Sequence, residues 1–130
     1  MGVNGSASSQ RARAYATGLA RRQRAQLVAI YVHSDWPTML MPETAAVSVQ
    51  AHQQLAHELH DDTLAAAQHF DQPIAFHLRT GDVATQLKQA AVELRASALV
   101  IGAGRRRCWF TRSFTGRLLR MRPCPVIVVP

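Results

Sequence analysis

After Glu93 the chain carries no acidic residue, although it runs on to Pro130. All of its acids, Asp35, Glu43, Glu58, Asp61, Asp62, Asp71, Asp82 and Glu93, come no later than that point. Arg105, Arg106, Arg107, Arg112, Arg117, Arg120 and Arg122 are therefore expected to form a cationic surface without countercharge, suited to phosphates, acidic protein faces or anionic lipid. Cysteine is almost as scarce. Cys108 and Cys124 make no disulfide framework, no CxxC and no Cys/His metal spacing, which points to a reducing, cytoplasmic setting. No apolar run approaches the roughly 18 to 20 residues of a membrane span, and the N-terminal segment lacks the apolar stretch of a secretory signal. The signatures of catalysis are missing too: no GxxxxGK[ST], no GxGxxG opening the first helix, no GxSxG elbow, no cysteine with a patterned histidine partner. The expectation is a domain that is not itself an enzyme.

What remains is a chain of 130 residues, 48% hydrophobic, long enough for one domain spanning 1–130. Ala12, Tyr15, Ala16, Leu19 and Ala20 fall on one helical face between Ser8 and about Arg24, with Ser6, Ser8 and Ser9 available as caps. Gln26 to Val32 is a nearly continuous β-prone run, the pattern of a strand covered on both faces. In the loop from His33 to Glu43, Trp36, Met39, Leu40 and Met41 either close over a ligand or cap the core. Val47, Ala51, Leu55, Leu59, Thr63, Ala66 and Phe70 predict a long helix over about 44–70, ended by Pro73.

A strand from Pro73 to Leu78 follows, then a turn at Thr80-Gly81-Asp82 and a helix whose stripe is Val83, Leu87, Ala90, Ala91 and Leu94. Ser97 to Gly102 reads as a strand, Ser113 to Met121 as a helix, and Pro125 to Val129 as the last strand. Alternation of this kind predicts an α/β fold, an open five-stranded parallel sheet with helices on both faces. Only Met1, Gly2 and Val3 precede Asn4, so the first strand is expected to be truncated.

In such a sheet, ligands sit beyond the carboxyl ends of the strands where the chain order reverses. Two loops qualify: Val3-Asn4-Gly5-Ser6, and Gly102-Ala103-Gly104-Arg105-Arg106-Arg107. Glycines allow close backbone approach to a phosphate, successive N–H groups form an anion nest, and guanidinium groups add paired hydrogen bonds. His57, His60 and Asp61 share a helical face but lie mid-helix, away from this crevice, so no metal is expected. Nucleic acid is not expected either, because only Trp109 and Phe110 are interleaved with the arginines as stacking platforms.

The ordered set Val3-Asn4-Gly5-Ser6 with its Ala-rich helix, Tyr31-Val32, Ala98 to Gly104 and Cys124 to Val129 resembles the universal stress protein family, over nearly the whole chain. The resemblance implies that family's fold, also described as adenine nucleotide alpha hydrolase-like, and a regulatory role. ATP-binding members carry Gly-x(2)-Gly-x(9)-Gly-Ser between the last two strands; here Gly102 and Ser113 match while Arg105 and Arg112 replace glycines, and Asn4 stands for the usual aspartate. The run from Arg105 to Phe110 resembles instead the form inside Kdp-type potassium-responsive sensor histidine kinases. Some of those bind cyclic di-AMP through Ser-x-Ser-x(20)-Phe-Thr-Ala-x-Tyr, of which Ser6, Ala29 and Tyr31 are kept.

The resemblance thus implies a cytoplasmic sensory domain for potassium or osmotic stress in two-component signal transduction, taking ATP, cyclic di-AMP or another anion. Val3, Asn4, Ser6 and Val32 would surround base and ribose. Gly102 and Gly104 would admit the backbone, and Arg105, Arg106, Arg107 and Ser113 would hold phosphates. The alternative is a free-standing stress protein, a scaffold that dimerises through its last strand without ATP.

Overall fold

The computed structural model describes residues 1–34, 45–103 and 114–130, and for 45–48 the backbone alone. In chain order the elements are β1 (Gly2–Val3), α1 (Ala7–Gln23), β2 (Leu27–His33), α2 (Ala45–His69), β3 (Ile74–Thr80), α3 (Val83–Glu93), β4 (Leu99–Gly102), α4 (Phe114–Met121) and β5 (Val126–Val129). Every recorded strand pair is parallel. The ladders run β1-β2-β3 and β4-β5, and β1 lies against β4, where Gly2 sits beside the Ile101 side chain. The five strands therefore stand as β3-β2-β1-β4-β5, the expected open parallel arrangement, hydrogen-bonded as three plus two.

Period-two alternation along the strands explains why helices cover both faces. On β2, Leu27, Ala29 and Tyr31 join Val3, Val100 and Ile74 in a core with Ala12, Ala16 and Ala20 of α1 and Ala56 and Leu59 of α2. The intervening residues point the other way. Ile30 joins Leu99, Ile101, Leu87 and Ala90 of α3 and Leu118 of α4, with Val28 and Val32 packed alongside. A strand sandwiched in this way has no polar face to show, which is why its sequence reads as an unbroken apolar run.

Three expectations are corrected. Tyr15 and Leu94, placed on buried stripes from their spacing, are 45% and 40% exposed; Thr17 and Ala84 are buried instead. On α1 small residues fill the buried face because the helix lies close over the sheet. Second, β3 continues two residues past Leu78 through Arg79 and Thr80, since β2 supplies partners as far as His33. Third, Arg117 is not without countercharge. Its guanidinium donates to both carboxylate oxygens of Asp82, at 2.8 and 2.9 Å, across the α3 to α4 contact.

Candidate functional site

The loop between β1 and α1 is built by one permissive residue and several hydroxyls. Gly5 takes φ +76°, a left-handed conformation natural to glycine, and turns the chain so that Ser6 becomes the N-cap of α1. Ser6 Oγ accepts from Ser9 N at 3.2 Å, and Ser9 Oγ in turn accepts from Asn4 N at 3.1 Å. Asn4 Oδ1 accepts from both the backbone N–H and the hydroxyl of Ser6, at 3.2 and 2.8 Å. Each polar group of the loop is thus oriented by another. The first N–H groups of α1 beyond the cap have no partner inside the helix.

Against this turn lies Gly102, at the end of β4. A methyl group there would fall 2.6 Å from the carbonyl carbon of Ser8 and 2.8 Å from the nitrogen of Ser9. Glycine is therefore required at 102 by the closeness of the first turn of α1. That is a packing demand, which stands beside the phosphate approach expected from the loop sequence.

Between these elements and the second face of the sheet is a cleft of about 270 Å³. Its apolar floor and walls are Ile30, Val32 and Ile101 of the sheet, Val83 and Leu87 of α3, and Phe114 of α4. Gly2 contributes by having no side chain: a Cβ would stand 3.3 Å from Leu87 Cδ1 and 3.4 Å from Ile101 Cγ2. One rim carries the polar groups, Asn4, Ser6, Ser8 and Ser9. No carboxylate is among the described lining residues, and Asp82, next to Val83, is bound to Arg117 and to Thr85. Burial pulls the Asp82 carboxyl upward, but hydrogen bonds from Arg117 and Thr85 outweigh it and hold the group below its usual range.

Of the residues expected at the site, Asn4, Ser6, Val32 and Gly102 meet at this cleft. Val3 lines it as well, but its side chain is buried in the core of the opposite face, so only its backbone is on offer. Gly104, Arg105, Arg106, Arg107 and Ser113 lie outside the described residues, as do Trp36, Met39, Leu40, Met41, Cys108, Trp109 and Phe110. Sequence reasoning missed Gly2, Ile30, Val83, Leu87, Ile101 and Phe114. The signal was present in the alternation of β2: once Val32 is placed at the cleft, Ile30 must share its face. The helical His60 pairs with its neighbour Asp61 at 3.3 Å and meets the ring of Phe76. Among the described residues no group of three or more His, Cys, Asp or Glu could hold a metal ion, and no helix is long and apolar enough to cross a membrane.

This geometry defines an open parallel α/β domain with a ligand-sized cleft at the carboxyl ends of its strands, where the strand order reverses around β1. The family model for universal stress proteins matches residues 1–130, and the chain belongs to that family. Among solved structures it is similar to a universal stress protein from Burkholderia pseudomallei, at 29% identity and TM-score 0.76, covering 99% of this chain and 92% of that one. It is also similar to the protein UspA from Lactobacillus plantarum, at 23% identity and TM-score 0.81, covering 99% and 94%. A universal stress protein solved in complex with cAMP matches at 22% identity and TM-score 0.71, covering 99% and 92%. No curated protein matches the chain.

Proposed function

We propose that the domain is a non-catalytic regulatory module that binds a nucleotide in the cleft over Gly2, Ile30 and Ile101. The observation that carries this reading is the division of the cleft into an apolar floor, suited to a base, and a rim made of Asn4, serine hydroxyls and a helix N-terminus, suited to an anion. The described lining residues hold no group that titrates near neutral pH, which favours binding over acid–base chemistry. A relative crystallised with cAMP supports the same ligand class. The arginine run from 105 to 107 supports a place within a Kdp-type sensor kinase, where occupancy of the cleft would bias the conformation that the rest of the kinase reads. Thermal melts with ATP, cAMP and cyclic di-AMP test it, repeated on the double variant Arg105→Ala/Arg107→Ala. A ligand that binds only the folded chain raises its melting temperature. If none of the three does so, the nucleotide reading is wrong.

A second reading has an observation of its own. Strand β5 pairs with β4 on one side only among the described residues, and Val128 is 37% exposed, so its outer edge is free to join a second copy. A concentration-dependent dimer that Val128→Lys abolishes, in a chain that no nucleotide stabilises, would favour this scaffold reading.

A further inference from the structure

The outward face of α1 carries Arg11, Ala14, Tyr15, Gly18 and Arg22, the positions opposite its buried Ala12, Ala16 and Ala20. Gly18 has no explanation within the domain. It is not among the residues of positive φ, and a Cβ on it would meet only the flexible tip of Arg22, at 3.3 Å. Glycine inside a helix is less favourable than alanine, so neither backbone nor packing among the described residues calls for it. The charge of the face is one-sided as well. Residues 1–34 hold no acid, but they include Arg11, Arg13, Arg21, Arg22 and Arg24. Asp62 answers Arg13 at 3.5 Å and Arg11 donates to the carbonyl of Pro130, while Arg21, Arg22 and Arg24 meet no acid among the described residues. The ion pair of Arg13 with Asp62 also makes α2 the neighbour of α1 on this side of the sheet, and α2 is charged the opposite way. It has no arginine or lysine from Ala45 to His69, and its exposed Glu58, Asp61, Ala65 and Gln68 share one helical face. Asp61 is 80% exposed, with only its neighbour His60 as partner among the described residues.

We infer that α1 and α2 together form a self-complementary face on which a second copy of the chain seats, α1 of each protomer on α2 of the other. Both helices are crossovers of a parallel sheet and run the same way, so a two-fold axis normal to this face sets α1 antiparallel to the α2 it meets. In an antiparallel pair one residue number rises as the other falls. Seating Arg22 on Asp61 of the partner subunit therefore brings Gly18 to Ala65 of the partner subunit and Tyr15 to Gln68 of the partner subunit. The charges match, and the two smallest residues stand where the helices come closest, which gives Gly18 its reason. A second copy is the occupant because each protomer supplies both halves of the complementarity, basic on α1 and acidic on α2. This face is distinct from the outer edge of β5, and it does not depend on the nucleotide reading of the cleft.

Sedimentation velocity on the full chain over a range of concentrations tests it, with the variants Arg22→Glu and Asp61→Arg. The unmodified chain is expected to dimerise reversibly. Each variant alone is expected to weaken the dimer by on the order of tenfold or more, because the symmetry repeats every like-charge contact. Arg22→Glu also lowers the net charge of +7, so weaker association in that variant is not general repulsion. An equal mixture of the two variants is expected to recover association to within about threefold of the unmodified chain. Each mixed pair again sets a glutamate against an arginine and an arginine against an aspartate, and recovery shows that both variants fold. Gly18→Gln is expected to raise the melting temperature of the monomer, as a better helix former, yet to weaken the dimer by on the order of tenfold or more. A chain that stays monomeric, a dimer indifferent to the charge reversals or to Gly18→Gln, a dimer lost in Val128→Lys instead, or a mixture no better than its components overturns the inference.

Discussion

At the carboxyl ends of the strands the cleft over Gly2, Ile30 and Ile101 holds about 270 Å³; at the opposite ends, a second cavity lined by Met1, Leu27 and Leu99 holds about 250 Å³. Volume does not tell them apart. What differs is the backbone around each. The upper cleft receives the N-terminus of α1, with unpaired N–H groups and a rim of Asn4 and serines. The lower one receives the C-terminal end of α3, where carbonyls point outward, together with Leu94 and Arg95. It also holds the amino group of Met1, which donates to Val28 O at 2.6 Å. Parallel strands force this polarity, because every crossover helix begins at the upper end of the sheet and finishes at the lower. The helix dipoles therefore favour an anion at the upper end over the lower one.

The harshest way to break the upper end is Gly102→Ala. Its methyl group would press on the peptide between Ser8 and Ser9, with no flexible side chain to yield, so the first turn of α1 must move. The expected loss is about 3 kcal/mol, the upper part of the range for overpacking, together with loss of any ligand that melts detect at the cleft. Chemical denaturation measures the first. A variant as stable as the parent would show that α1 and β4 are not in close contact there.

The lower end is sharpened by pH. Burial pushes the Met1 amine down to about 6 from 8.0, against a smaller opposing influence of the Cys124 thiol. The unfolded chain therefore binds more protons between those values, and stability must rise with pH through the window, being lowest below about pH 6. Two pKa units correspond to about 2 to 3 kcal/mol. Urea midpoints at several pH values, compared between chains with a free and an acetylated Met1 amine, check it; histidines titrate in both, and only the difference counts.

Most of the sheet could be read before the structure because β2 and β4 are buried on both faces, and apart from His33 at the end of β2 their runs are apolar. The upper rim was half legible. Ser6 and Asn4 belong to a short turn whose glycine and cap can be recognised locally. Gly2, Leu87 and Phe114 could not be found in this way, since they converge only when β1, α3 and α4 are packed, and each reads in sequence as ordinary core. Tyr15 and Leu94 failed for the complementary reason. Helical spacing gives the buried face to within a residue, and the neighbouring element decides which side of that face is covered.

The wall between the upper cleft and solvent depends on Asp82, which caps α3 through Thr85 N at 3.0 Å and holds Arg117 of α4. Asp82→Ala should cost about 1 to 2 kcal/mol, the sum of a lost cap and an exposed ion pair. Asp82→Asn, which keeps an oxygen for the cap, should cost about half as much. Because the folded carboxyl lies below its unfolded value, its contribution is present above about pH 4 and disappears as pH falls through the folded value. Acid titration of the unfolding midpoint, with Asp82→Ala as the control, reads that loss directly.

The smallest effect expected comes from the lower end. Four helices are followed by residues other than glycine in left-handed conformations: Arg24, Asp71, Arg95 and Arg122, with φ between 44° and 52°. Side chains with a Cβ are strained there by roughly 1 kcal/mol, which glycine avoids at the expense of greater freedom in the unfolded chain. Arg95 is the informative one, since it lines the lower cavity and follows α3, where Leu94 N donates back to Ala90 O and Arg95 N to Val92 O. Arg95→Gly should therefore stabilise the domain by a few tenths to about 1 kcal/mol and leave nucleotide affinity unchanged, because no ligand is expected at that end of the sheet. If the variant instead weakened nucleotide binding, the assignment of the ligand to the upper cleft alone would have to be given up.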